Sequence, residues 1–184
     1  MKTPAILFLA PILASALIAC APESGPEIAA VPEAETTKTP YGFDVQLTLT
    51  PRAAEKLAET DEAVNVAAMY YGLPASDTAP GIDEQGMEIG LGRDDIEVAP
   101  QSALVVATGA GFDPTYLPGV KGEPEVLVNV YSARKTHENN LLSCGIYQGP
   151  ISMAQKKPVD IQCDLIDGLT EDGDVVVETG TPGQ

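Results

Sequence analysis

Carboxylate clusters are the features of this sequence that come closest to a chemical site. They lie at Asp83-Glu84, at Asp94-Asp95 with Glu97, and at Asp167 with Glu171, Asp172 and Asp174. Two facing carboxylates can hydrolyse a substrate as acid and base, and several carboxylate oxygens together can bind calcium. The last cluster does not fit an EF-hand, because Gly168 and Thr170 stand where that loop needs acids. In a chain with 27 acidic residues, solvated charge runs explain such clusters more simply.

The sequence lacks the residue motifs that nucleophilic catalysis requires. His137 is its one histidine and lies in a polar stretch, residues 134–140, so a two-histidine zinc-protease motif cannot form. No Gly-x-Ser-x-Gly elbow occurs either. The sequence therefore predicts no catalytic residue, no metal ligand and no cofactor, and it favours His137 as a solvated loop residue.

Short glycine motifs and basic pairs are weak binding signals here. Gly90-Leu91-Gly92 and Gly109-Ala110-Gly111 lack the third glycine of a dinucleotide site, so they predict turns or bulges. Two basic pairs, Arg134-Lys135 and Lys156-Lys157, indicate either a contact for an acidic partner or relief of local repulsion between like charges.

Short strands are the elements that must position these residues. Alternation of apolar and polar residues predicts strands over residues 43–49, 63–71, 86–91, 94–98, 126–132, 142–147 and 159–166. We expect residues 86–91 and 94–98 to be separate strands joined by a turn at Gly92-Arg93. The unbroken apolar run Ala103–Ala107 predicts a central strand.

One brief helix is predicted beside these strands. Thr50 is a suitable N-cap and Pro51 suits the first helical position. The helix should cover residues 52–59, with Ala54, Leu57 and Ala58 on its inner side. Many short strands with regular turn signals and one short helix predict an all-β fold, namely a two-sheet antiparallel sandwich of the immunoglobulin-like or transthyretin-like kind.

The beginning of the chain has the pattern of a secretory signal. Met1-Lys2 and the apolar residues 5–19 form the charged and apolar regions of a secretory signal. The run is shorter than the roughly 20 apolar residues of a transmembrane helix, and polar sequence follows it.

The end of this apolar run resembles a bacterial lipobox. Leu17 stands at −3, the small Ala19 at −1 and Cys20 at +1. The resemblance implies a signal peptide over residues 1–19 and a diacylglyceryl thioether plus an amide-linked acyl chain on Cys20, which would hold the protein at a membrane. The alternative is an ordinary cleaved signal with an incidental cysteine near the cut.

The resemblance also sets the organisation of the remaining chain. Ala21, rather than Asp, follows the cysteine, which by the sorting rule of enteric bacteria favours the outer membrane over the inner membrane. Residues 20–40 are rich in Pro and Glu and predict a flexible acidic tether. Residues 41–166 should form the sandwich, and residues 167–184 an acidic disordered tail, with an edge strand at 175–177 as the alternative.

Cys144 and Cys163 are then an even pair in an oxidising compartment, and this predicts a disulfide between them. Cys144 shares a strand face with Ile146, and Cys163 shares one with Ile161, so both should point to the core. They lie in consecutive predicted strands whose antiparallel pairing would bring them together. The rival interpretation is two buried free thiols.

Charge excludes one class of partner. The formal net charge is −17, which repels phosphate backbones, so we expect no nucleic-acid partner. The lipid on Cys20 would connect the protein to the membrane, and the partner would be another envelope protein. The sequence favours a non-enzymatic binding or structural module on a tether. The alternative is a carboxylate-based hydrolase or a calcium-dependent binding domain that uses the acidic loops.

Overall fold

The computed structural model describes residues 37–168, and strands dominate this part of the chain. The strands are β1 (Phe43–Leu49), β2 (Val64–Gly72), β3 (Ile89–Val98), β4 (Ala103–Ala107), β5 (Glu125–Ser132), β6 (Leu142–Cys144), β7 (Tyr147–Pro150) and β8 (Val159–Leu165). The helical segments are α1 (Pro51–Glu59), α2 (Ile151–Ala154) and a 3₁₀ helix over Pro114–Gly119. Within residues 37–168 no helix has the length and hydropathy that crossing a membrane requires.

The strands form two four-stranded sheets, so the predicted two-sheet sandwich is confirmed. Sheet A has the order β4-β1-β8-β6, and sheet B has the order β3-β2-β5-β7. Every strand pair is antiparallel except β1 with β8, which run parallel with Val45 opposite Val159. A parallel pair needs a long crossover, and here the chain passes through sheet B between the two strands.

Alternating side chains fill the space between the sheets. On the inner faces of β2 and β5 these residues are at most 2% exposed: Val64, Val66, Ala68, Tyr70, Val126, Val128 and Val130. Val45 and Leu47 of β1 are fully buried opposite them. The period of two in the sequence therefore places the core as predicted.

Helix α1 begins as its sequence requires. The Thr50 hydroxyl accepts a hydrogen bond from the Ala53 amide at 3.3 Å, and Pro51 occupies the first helical position. Leu57 is buried as predicted, together with Ala53. The prediction that Ala58 faces inward is wrong, because the buried stripe of this two-turn helix runs through 53 and 57 and leaves Ala58 exposed.

Strand β3 is continuous, so the turn predicted at Gly92-Arg93 is wrong. Along β2, Met69 lies opposite Arg93 and Tyr71 opposite Gly90, so β3 uses one residue more than its partner over this stretch. Gly92 has a φ of 101°, a conformation that glycine adopts without strain. The extra residue is therefore absorbed as a bulge within the pair, and the strand does not reverse.

Two further strand predictions are corrected. Ala103–Ala107 forms β4 at the edge of sheet A and not at its centre, because it pairs with β1 alone among the described strands. The single strand predicted over residues 142–147 is two strands. β6 pairs with β8 in sheet A, whereas β7 pairs with β5 in sheet B, so the chain changes sheets at Gly145-Ile146.

Candidate functional site

The predicted disulfide between Cys144 and Cys163 is present. The two residues lie opposite each other on β6 and β8, with their Cα atoms 4.0 Å apart. Cys163 is buried as expected, but the prediction that Ile146 shares the inward face of Cys144 is wrong. The strand ends at Cys144, and Ile146 is 66% exposed in the crossing to sheet B.

Cys20 lies outside the described residues, and so do Glu171, Asp172, Asp174 and the predicted edge strand at 175–177. The lipid anchor therefore stays a prediction from the sequence.

Asp83 and Asp94 accept hydrogen bonds from backbone amides of the chain itself. Asp83 accepts from the amides of Met87 and Glu88 at 2.7 and 3.3 Å, and so closes its own loop. Asp94 is 9% exposed and accepts from Gly109 and Gly111, each at 2.7 Å. Both carboxylates thus hold loops in place.

Asp94 also accepts a bond from the Tyr70 hydroxyl at 3.0 Å, deep in the sandwich. Burial and the neighbouring carboxylate raise the pKa of Tyr70 well above its ordinary value. Tyr70 therefore stays a neutral donor at physiological pH, and this bond fixes β2 to β3 from inside.

Three further acids of the predicted clusters form ion pairs on the surface. Asp95 pairs with Arg93 at 2.6 Å, Glu97 with Lys135 at 2.6 Å, and Asp167 with Arg52 at 3.2 Å. A search of residues 37–168 finds no group of three or more His, Cys, Asp or Glu side chains placed to hold a metal ion. The hydrolase and calcium alternatives thus gain no support from the geometry of these acids.

Glu62 is a buried carboxylate that the sequence interpretation missed. It is 2% exposed and lies just before β2, where it accepts from the segment that follows β5. The amides of Lys135 and Thr136 donate to it at 3.0 Å, and the Thr136 hydroxyl does so at the same distance. The amides of Ala63 and His137 donate at 3.1 and 3.4 Å.

These donors determine the charge state of Glu62. Burial alone raises the pKa of a carboxyl group, but the hydrogen bonds from Thr136 and Lys135 outweigh it and hold the pKa of Glu62 below its usual value. Glu62 is therefore an ionised, internally satisfied anchor for the loop that carries His137. The sequence offers no local signal for this role, because an acid before a strand is ordinarily solvated.

The position of His137 follows from this anchor. Its ring Nδ1 lies 3.1 Å from the Thr136 hydroxyl, which itself donates to Glu62. The side chain is half-buried at the surface of the loop. His137, which the sequence predicts to be a solvated loop residue, is thus held in position by the hydrogen bonds of its neighbour Thr136.

A polar cluster lies on the outer face of sheet B beside this loop. We call it the Tyr131 cluster, and it consists of Asn65, Arg93, Asp95, Tyr131 and Arg134. The Tyr131 hydroxyl oxygen accepts from Asn65 at 2.7 Å and from Arg93 at 2.9 Å. The Arg134 guanidinium lies 5.6 Å from the centre of the Tyr131 ring, in cation–π range.

Local backbone and charge effects hold the Tyr131 cluster in shape. Arg134 has a φ of 58°, which turns the chain sharply at the end of β5 and places its side chain over the ring. The hydrogen bond from Arg93 is the main cause that lowers the pKa of Asp95. The pair therefore stays ionised and keeps Arg93 directed at Tyr131.

Two shallow cavities flank α2 at another part of the surface. The larger has a volume of about 240 Å³ and is lined by Tyr147, Met153 and Pro158 among others. The smaller, about 160 Å³, lies beside Tyr41 and Pro124. Both fall below the roughly 300–1,000 Å³ of typical small-molecule sites.

Comparisons of the chain with protein-family models, with curated proteins and with solved structures give no match.

Proposed function

We propose that this protein is a lipid-anchored component of the bacterial cell envelope whose β-sandwich binds another envelope protein without catalysing a reaction. The apolar run that ends in Leu17, Ala19 and Cys20 supports the anchor. Two acyl chains hold a protein stably, whereas one gives marginal binding. Ala21 supports the outer membrane as the destination, and residues 20–40 would be the tether.

The Tyr131 cluster is the observation that supports binding. A contact surface gains most from side chains that are exposed yet already held in place, since immobilising one on binding costs about 0.5–1.5 kcal/mol. Tyr131 is held by Asn65 and Arg93 and is still half-exposed. Tyrosine and arginine are also the residue types that supply much of the energy at protein interfaces.

Arg134 indicates the chemistry of the partner. It is exposed, and it forms no ion pair with any of residues 37–168. A carboxylate of the partner can therefore form a charge-assisted hydrogen bond with its guanidinium. Because the net charge of −17 repels an acidic protein at long range, binding should depend on close fit more than on steering.

Replacing Cys20 by Ser tests the anchor. No thiol remains to receive the lipid, so the variant should leave the detergent phase or remain an uncleaved precursor, whereas the unaltered protein enters that phase. If the Cys20→Ser protein partitions as the processed protein does, the lipobox assignment is wrong.

Reversing the charge of Arg134 tests the binding surface. Native membranes should yield one protein that copurifies with the unaltered chain, and Arg134→Glu should lose it. Lys121→Glu is the matched control, because it makes the same charge change on an exposed loop residue remote from Tyr131. Equal retention by both variants would contradict a role for the Tyr131 cluster, and equal loss would assign the effect to net charge.

A further inference from the structure

Among residues 37–168 the outer edge of β4 is open, whereas the other three edge strands of the two sheets are protected. Loop residues cover β3, since the Asp113 amide donates to the Leu91 carbonyl at 2.7 Å and Arg93 donates to Gly111 at 3.2 Å. β6 has three residues, and β7 has four and ends at Pro150, so both are short. Within residues 37–168 no segment pairs along the outer edge of β4.

The hydrogen-bonding phase of β1 shows which groups of β4 face that open edge. The Leu49 amide donates toward β4, to the Ser102 hydroxyl at 3.0 Å, and the Thr50 amide donates toward β8, to the Cys163 carbonyl at 3.0 Å. Odd-numbered residues of β1 therefore direct their backbone groups at β4, and the odd-numbered residues of β4 that lie opposite them direct theirs back at β1. Leu104 and Val106 consequently direct their N–H and C=O groups outward.

The side chains on this edge are uncharged and apolar. Leu104 is 56% exposed on the outer face, where Val106 is its next neighbour along the strand. No charged residue occurs between Glu97 and Asp113, in a chain where charged residues make up 20%. Natural edge strands usually carry a charge, a proline or a bulge that blocks pairing, and residues 103–107 carry none of these on the open side.

We propose that β4 pairs antiparallel with β4 of a second copy of this chain, about a two-fold axis at Val105. In that register Leu104 lies opposite Val106 of the second copy, and each such pair exchanges two backbone hydrogen bonds. These are the residues whose backbone groups face outward, so the register uses every open group of the strand. Ala103 lies opposite Ala107, and the exposed Leu104 side chain is covered by Val106 of the other copy.

The sequence of β4 favours a second copy of this chain, rather than a different protein, as the partner that pairs with it. About a two-fold axis at Val105, Ala103 lies opposite Ala107 and Leu104 opposite Val106, so every cross-strand pair joins apolar side chains of similar size, and the strand is complementary to itself. The strand itself is uncharged, and Asp44, which lies opposite Val106 on β1, is neutralised by Lys38 at 2.6 Å, so two chains of net charge −17 meet little local repulsion at this edge. One five-residue strand pair gives a small interface, so the dimer should be weak and concentration-dependent.

Sedimentation of the full chain in mild detergent, over a range of concentrations, measures the association. We expect a monomer–dimer equilibrium for the unaltered chain. Leu104→Lys should raise the dissociation constant about tenfold or more, because it replaces both apolar cross-strand pairs by charges. Gln162→Lys is the matched control, since Gln162 is exposed on the same sheet, two strands away, and it should leave the constant unchanged.

A second variant separates pairing from folding. Val106→Pro removes an outward N–H, so it should abolish the dimer and leave the melting temperature of the monomer close to that of the unaltered chain. If neither Leu104→Lys nor Val106→Pro shifts the equilibrium, or if the unaltered chain stays monomeric throughout, the proposal is wrong.

Photocross-linking identifies what lies on the edge. A benzoylphenylalanine at position 104, in a mixture of isotopically heavy and light chains, should yield heavy–light linked peptides from the β4 region. Links exclusively to a different protein, or to parts of a second copy far from β4, would refute the proposed pairing.

Discussion

Replacing Glu62 by Gln should destabilise the domain far more than a surface carboxylate change does. Five donors converge on this buried carboxylate: the amides of Ala63, Lys135, Thr136 and His137, and the Thr136 hydroxyl. Gln has one acceptor oxygen, and its amide nitrogen is a donor that must face at least one of these donors. The variant therefore keeps the shape of the side chain and removes both the charge and one acceptor.

The magnitude follows from the same contacts. A buried donor left without an acceptor costs about 1–3 kcal/mol, and hydrogen bonds to a charged group are worth about 1 kcal/mol more than neutral ones. We expect Glu62→Gln to lower the free energy of unfolding by about 3 kcal/mol. Glu97→Gln is the matched control, because Glu97 is exposed and pairs with Lys135 of the same loop. A surface pair of this kind contributes about 0–1 kcal/mol.

Urea unfolding at pH 7, with the disulfide intact, measures both variants. The pH dependence gives a second, independent readout. Because the pKa of Glu62 is lower in the folded than in the unfolded state, its stabilising contribution is complete above the unfolded-state pKa, about 4.3, and is lost as the pH falls through the folded-state pKa. The difference between the unaltered chain and Glu62→Gln should therefore shrink below about pH 4.

Amide exchange locates the effect. The amides of Lys135 and Thr136 should exchange faster in Glu62→Gln, while those in the middle of β2 change only with global stability. If Glu62→Gln and Glu97→Gln destabilise equally, or if the difference between them is independent of pH, the anchoring role of Glu62 is refuted.

Three other predictions concern the rest of the domain. The double variant Cys144→Ser, Cys163→Ser should have a free energy of unfolding about 3 kcal/mol lower, because the bridge joins residues 19 apart in the sequence. In the unaltered chain, alkylation of the unfolded, unreduced protein should label neither Cys144 nor Cys163. Gly111→Ala should cost about 1–3 kcal/mol in urea unfolding because a Cβ there meets the Arg93 carbonyl oxygen, whereas Gly90→Ala has open space and should cost less. Millimolar calcium should leave the melting temperature unchanged relative to magnesium at equal ionic strength, and a rise of several degrees would establish a calcium site.

Features that depend on neighbouring residues in the chain could be predicted from the sequence. The period of two placed Val64, Val66 and the other inner-face residues in the core, and Thr50-Pro51 marked the start of α1. The disulfide was predictable too, because strand phase is local information and because the lipobox interpretation of Cys20 left Cys144 and Cys163 as a pair. Local signals of this kind do not state which strands become neighbours.

The features that the sequence did not reveal depend on distant contacts. Four of the five donors to Glu62 lie 73–75 residues further along the chain, and nothing near it in the sequence distinguishes it from a solvated acid. Likewise, Asp94 accepts hydrogen bonds from the amides of Gly109 and Gly111, for which the sequence predicted only a turn or a bulge. In both cases the partner is a backbone amide, and a backbone amide has no residue identity that a sequence pattern could detect.

The wrong prediction for β4 has a different physical origin. An unbroken apolar run indicates a strand with neighbours on both sides, whereas Ala103–Ala107 has a neighbour on one side among the strands of residues 37–168. The pairing proposed for two copies joins two four-stranded sheets A into one of eight strands, with the two β4 strands at its centre. The apolar β4 would then be a central strand of the dimer, as its composition predicts. Leu104 would be exposed in the monomer and covered in the dimer. The oligomeric state of this protein therefore decides whether that sequence pattern is an exception or an ordinary central strand.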